Sequence, residues 1–172
     1  IAEKLVVGDP THDQTEVGPL ILEREVNRVD EWVQEAGSSG RVLVGGKKLS
    51  KTCYQPTVIL NPSQESRVSN QEIFGPVINI YPFKDRLEAI DLANNVPFSF
   101  QASVFTKNID VAFDTIKRLN ASAVMVNDHT AFRVDWMPFA GRKSSGLGIG
   151  GILDTMKEMT EEKMMVFKSP VL

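Results

Sequence analysis

Apolar positions follow two alternating periods along the chain. Leu22, Val26, Val29 and Val33 recur at helical spacing, with Glu23, Arg28, Asp30 and Glu31 on other faces. This predicts an amphipathic helix over 20–36, stopped by Gly37. Arg41–Val44 reads as a short strand ending at Gly45-Gly46, and Tyr54–Leu60 as a second whose Pro56 suits an edge or an entrance. Val77–Tyr81 is a further strand, Asp85–Asn94 a helix, and Ala102–Phe105 another strand. Asn108 can cap a helix with Ala112, Phe113, Ile116 and Leu119 facing inward, leading to a strand at Ser122–Val126. Lys163–Lys168 alternates like a terminal strand. Strands alternating with helices predict an α/β fold with a largely parallel sheet flanked by right-handed crossover helices.

From Asn127 to Gly151 the periodicity disappears. An irregular stretch of about 25 residues inside a compact domain usually binds or catalyses, so function is expected there.

Composition narrows the classes. The 172 residues are 42% hydrophobic and 24% charged, enough apolar material for one folded core. Nineteen basic and 22 acidic residues leave a net charge of -3 without charge blocks, which argues against nucleic acid as a partner. No apolar run approaches the roughly 20 residues that span a bilayer, so no membrane partner is expected. The single cysteine, Cys53, suits a reducing compartment, with the cytoplasm as the default. Ile1 and Leu5 sit like the closing turns of a helix, and the chain does not start with methionine, so it reads as a fragment.

Several local motifs have ordinary readings. Gly146–Gly151 matches G-x-G-x-x-G but follows the polar run Arg142–Ser145 instead of a strand, and Gly141-Arg142-Lys143-Ser144 lacks the spacing of a phosphate loop. Cys53, between Thr52 and Tyr54, has no activating neighbour in sequence and reads as an ordinary side chain. His12 and His129 belong to no His/Cys cluster, so no metal site is expected. Ser69-Asn70-Gln71-Glu72 has capping-box spacing, which would give Glu72 a purely structural task.

Three stretches together resemble the C-terminal catalytic domain of the aldehyde dehydrogenase superfamily: Gln71–Val77 (QEIFGPV), Tyr54–Ile59 (YQPTVI) and Met137–Gly148 (MPFAGRKSSGLG). Echoes at Val6–Pro10, Gly18-Pro19 and Val126-Asn127 extend the likeness over nearly the whole chain. The run Arg133–Pro138 (RVDWMP) is similar to the lactaldehyde, phosphonate-aldehyde and non-phosphorylating glyceraldehyde-3-phosphate branches.

The resemblance implies an NAD- or NADP-dependent enzyme that oxidises a small-molecule aldehyde to an acid through a cysteine thioester. It places the nucleophile, the general base and the nucleotide-binding domain before Ile1. The chain alone is then expected to be inactive and not to bind the dinucleotide tightly. Glu72 matches the glutamate that holds the nicotinamide ribose, and Phe74 its companion beside the nicotinamide. Phe139 matches an aromatic of the aldehyde tunnel, Asn127 a polar residue near its end, and Arg133 and His129 further pocket positions. Core packing is the ordinary alternative for both phenylalanines, and a loop ion pair to Asp135 for Arg133. Residues 1–162 would be the catalytic domain fragment and 163–172 a strand joining homo-oligomers. Many relatives have glycine where Ala140 stands, a change that is tolerable if the backbone there needs no positive φ. Two other readings remain open: a truncated, non-enzymatic oligomerisation or binding module, and an acylating or acyl-phosphate reductase of the same fold.

Overall fold

The computed structural model describes residues 1–170. Their contacts gather into two compact units, Ile1–Arg86 and Leu87 onward. No described helix is long and apolar enough to cross a membrane.

In the first unit, α1 (Glu23–Gly37) buries Val26, Val29, Trp32, Val33 and Ala36. This is the predicted stripe, extended by Trp32 and Ala36. Leu22 is 46% exposed and only precedes the first turn, so the helix starts three residues later than the periodicity suggests. Strands β1 (Arg41–Val44), β2 (Thr57–Leu60) and β3 (Val77–Ile80) form one sheet in that order. β1 and β2 are antiparallel, while β2 and β3 run parallel across the short helix α2 (Arg67–Asn70). β2 begins after Pro56, which offers no N–H to a ladder. Tyr54 makes only an isolated bridge to Lys48. Its buried hydroxyl donates to Asp30 Oδ1 (3.1 Å), and burial beside that carboxylate pushes the phenol pKa up.

The core of this unit closes on Trp32. The guanidinium of Arg28 lies 4.5 Å and that of Arg67 5.6 Å from its ring centroid. Arg67 also donates to Glu35 (Nε to Oε2, 2.5 Å) and to Glu31 Oε1 (2.9 Å), joining α2 to α1.

The expected capping box is not formed. Ser69 lies inside α2, and its hydroxyl donates to the Ser63 carbonyl (2.6 Å) and pairs with the Tyr81 hydroxyl (2.5 Å). The Ser63 carbonyl also takes the Ser66 hydroxyl (2.6 Å), so the nearby hydroxyls are engaged with one another and with Ser63. Glu72 lies beyond the helix end.

The second unit holds α3 (Arg86–Asn94), β4 (Phe98–Ser99), β5 (Gln101–Val104), α4 (Ile109–Arg118), β6 (Ala123–Val126), β7 (Arg142–Lys143) and α5 (Ile152–Glu158). β5 and β6 pair in parallel across α4, and β4 pairs antiparallel with β7. Asn108 caps α4 as predicted, accepting from the backbone N–H of Asp110 (2.9 Å) and Val111 (3.2 Å). The inward face differs in one position: Phe113 is 65% exposed, and Thr115 takes the interior place beside Ala112. Burial of Thr115 is compatible with its hydroxyl because that group donates to the Val111 carbonyl (2.6 Å).

The α/β prediction holds, and both parallel pairs flank a helix. Within this single chain residues 163–168 form no strand. Met164, Met165, Val166 and Phe167 are exposed, and no strand among the described residues pairs with them. Period-2 alternation makes a strand only where a partner supplies the ladder.

The Arg67 cluster gives a pH dependence with a definite sign. Hydrogen bonds from Arg67 hold the Glu35 carboxyl below its ordinary value. A depressed folded-state pKa contributes stability above the unfolded value and loses it as pH falls through the folded one. The urea midpoint should therefore fall on acidification from about pH 7 to about pH 3, and Arg67→Gln should flatten that slope. The effect is modest and salt-screened because the pair is partly exposed.

Candidate functional site

The segment 71–77 between α2 and β3 is fixed by its inward groups. Ile73 packs against the core, and its carbonyl accepts a 2.6 Å hydrogen bond from Arg28 Nη2. Gly75 lies against α1 so closely that a Cβ there would come within 2.9 Å of Val29 Cγ2, a buried atom on a rigid helix. The Pro76 carbonyl accepts from Thr57 N–H (2.8 Å), and Val77 N–H donates to the Gly75 carbonyl (2.8 Å).

With Ile73 and Gly75 anchored, Glu72 and Phe74 are left outside. Glu72 is exposed, and its carboxylate has no hydrogen bond or ion pair among the described residues. Phe74 is 77% exposed with φ of 47°, a left-handed backbone that a bulky residue rarely adopts. Neither ordinary reading applies: Glu72 caps no helix and Phe74 packs in no core. Phe74 therefore presents its ring at the surface from a costly backbone conformation.

The remaining expected residues lie in the second unit, on the irregular segment after β6. Asn127, with φ of 56°, turns its amide onto Thr106: Oδ1 accepts from Thr106 N–H (2.8 Å) and Nδ2 donates to the Thr106 carbonyl (2.9 Å). The pairing imitates one more rung of the β5–β6 ladder. The Asn127 neighbours Val126 and Asp128, with Val124, Phe132 and Met137, line an open hollow of about 310 Å³. His129 is exposed, its Nε2 3.8 Å from Asp128 Oδ1.

Arg133 makes no ion pair with Asp135. Its Nη1 donates to the Met137 carbonyl (3.0 Å), and its guanidinium carbon lies 4.7 Å from the Phe139 ring centroid. Phe139 is 48% exposed and is met edge-to-face by Phe100, with centroids 4.8 Å apart and ring planes at 71°. The contact of Arg133 with Phe139 places a cation and an aromatic face side by side. Phe100 carries no motif signal and was not legible as part of this group.

Ala140 is not among the positive-φ residues, so its methyl is tolerated. Glycine is needed one place later, where a Cβ at Gly141 would lie 2.4 Å from the Ser145 carbonyl oxygen. Lys143 is a stitch: its ammonium donates to the carbonyls of Asn94 (2.5 Å) and Val96 (2.9 Å). Among the described residues no group of three or more His, Cys, Asp or Glu could hold a metal ion.

The 71–77 loop displays a carboxylate and an aromatic, and the chain around it is α/β with two parallel strand pairs. Residues 1–165 match the aldehyde dehydrogenase family, and the chain belongs to it. It is 38% identical over 164 residues to 3-sulfolactaldehyde dehydrogenase of Priestia aryabhattai, covering 95% of this chain and 34% of that protein. Aldehyde dehydrogenase 21 of Physcomitrella patens, solved with the reaction product succinate, superposes with a TM-score of 0.89 and 35% identity over 93% of this chain and 33% of that one. Glyceraldehyde-3-phosphate dehydrogenase GapN of Methanocaldococcus jannaschii, solved with NADP, gives 0.86 and 35% over 92% and 34%. The chain thus spans about one third of the length of these relatives.

The two-point Asn127–Thr106 pairing is testable in this chain. Asn127→Ala should destabilise the second unit by about 1 kcal/mol for the lost hydrogen bonds, with a further cost because alanine resists positive φ. Urea unfolding and amide exchange at Thr106 measure it. Asn127→Gly should lose the bonds without the backbone cost.

Proposed function

We propose that this chain is the C-terminal part of the catalytic domain of an NAD- or NADP-dependent aldehyde dehydrogenase, which oxidises a small aldehyde to its carboxylic acid through a cysteine thioester. The observation that carries this reading is the rigid 71–77 loop, whose Glu72 and Phe74 are presented outward without partners of their own. They fit a nicotinamide riboside. A carboxylate is acceptor-only and suits a pair of ribose hydroxyls, and an exposed phenylalanine face suits a flat ring. When bound, the dinucleotide would supply the hydride acceptor.

Glu72 then holds the ribose by charge-assisted hydrogen bonds, and Phe74 limits the tilt of the ring beside it. Because Ile73 and Gly75 fix the loop against α1, this orientation needs little reorganisation. On the aldehyde side, Phe139 provides an apolar wall, with Asn127 and His129 near the same segment. Arg133 offers a planar donor fork toward an anionic or hydroxylated substituent. The Priestia relative is a 3-sulfolactaldehyde dehydrogenase, and a sulfonated aldehyde agrees with a cation in that place.

Cys53 is not the nucleophile in this reading. It lies near the loop at Ser50, which donates no activating charge, and the thioester cysteine belongs to the rest of a longer polypeptide. Residues 1–162 act as the catalytic fragment, and the apolar, unpaired segment 163–170 supports a strand that joins another subunit in a homo-oligomer. The lone free thiol suits a cytoplasmic setting.

In the complete enzyme, Glu72→Gln should slow single-turnover hydride transfer more than it weakens the nicotinamide dinucleotide's Kd. An unchanged transfer rate would remove Glu72 from the reaction. Titrating this chain alone with NADH or NADPH, followed by fluorescence, should show little or no binding. Micromolar affinity would overturn the partial-domain reading.

A further inference from the structure

Burial does not fix the Phe139 ring. The residue is 48% exposed, on a segment tied by a two-bond bridge with Gly150 (2.8 and 2.7 Å). The bridge sets the backbone, but an exposed phenylalanine still has several staggered wells for its ring.

Arg133 and Phe100 both meet the ring, and they are unequal anchors. Arg133 belongs to the same irregular segment and is held by the Met137 carbonyl, so it travels with that segment. Phe100 sits at the junction of β4 and β5. Its carbonyl accepts from the Ser122 N–H (2.8 Å) and the Ser122 hydroxyl (2.5 Å), at the entrance of β6. The Phe100 ring is therefore carried by the sheet, and its edge-to-face contact is what refers Phe139 to that sheet.

We propose that Phe100 is a positioning residue for Phe139, and through it for Arg133, setting the wall against which the aldehyde is held. This rests on the proposed function and deepens it on the aldehyde side. Phe100 touches Phe139 and lies apart in sequence from the Glu72–Phe74 loop, so its loss acts on aldehyde recognition and leaves the nicotinamide contacts alone. Because Arg133 uses the face of Phe139, discrimination in favour of anionic aldehydes depends on the same ring.

The test uses the complete enzyme. Phe100→Leu keeps apolar bulk but removes the aromatic edge, and Phe100→Tyr keeps it. The leucine variant should lose about tenfold in kcat/KM for the aldehyde, mainly through KM, and more for an anionic aldehyde than for an uncharged one of equal length. The KM for the nicotinamide dinucleotide should stay within about twofold, and Phe100→Tyr should restore the aldehyde parameters. If Phe100→Leu does not fold, Phe100→Met, of similar volume, takes its place.

A folded leucine or methionine variant with parental aldehyde selectivity overturns the positioning role, as does a tyrosine variant impaired as much as leucine. A parent enzyme that oxidises no aldehyde overturns the proposed function and the positioning role together. An active parent with an unaffected leucine variant overturns the positioning role alone.

Discussion

The placement of the whole 71–77 segment depends on close packing between Gly75 and Val29. A loop carrying an exposed phenylalanine at positive φ has every reason to relax, since that conformation is costly for a bulky residue. It does not relax because its alternate residues are held. Val29 is fully buried on α1, Gly75 leaves no room for a Cβ, and Arg28, one residue along the same helix, grips the Ile73 carbonyl. Arg28 is itself stacked on Trp32, with Arg67 over the same ring. The loop thus inherits the rigidity of the core.

The second unit solves a similar problem with polar groups. Its buried apolar set is small, comprising Ile90, Ala112 and Met125, so shape there rests more on hydrogen bonds. Asn127 extends the β5–β6 ladder onto Thr106, and the Thr106 hydroxyl accepts from Asn108 N–H (3.1 Å). Asn108 in turn caps α4. One run of short polar side chains therefore links the end of a strand, a turn and the start of a helix. This gives Asn127 a structural task wherever the aldehyde lies.

Much of this was legible in the sequence, and the failures have physical causes. The α1 stripe, the Asn108 cap and the parallel crossovers follow from periodicity and side-chain chemistry alone. The capping box failed because spacing cannot reveal that Ser69 lies inside α2 and that the chain turns extended at Gln71, leaving no helix for it to cap. Helical spacing predicts Phe113 inside, yet the buried face of α4 is carried by Ala112 and by Thr115, whose hydroxyl is satisfied within the helix. Residues 163–168 form no strand within the single chain, because the ladder their alternation needs is not supplied inside it. It is family resemblance that points to Glu72 and Phe74. Their lack of internal partners is a three-dimensional fact.

The segment Pro138–Ser145 shows how a site can tolerate change at one residue and forbid it at the next. At Ala140 the backbone stays out of the left-handed region, so a methyl is accommodated. At Gly141 the chain doubles back so closely that any Cβ would strike the Ser145 carbonyl. Lys143 then takes the left-handed turn, and its ammonium ties the return strand to the Asn94 and Val96 carbonyls. The glycine that matters is therefore the one at the crossing, and the stiffness it permits fixes the backbone from which Phe139 projects.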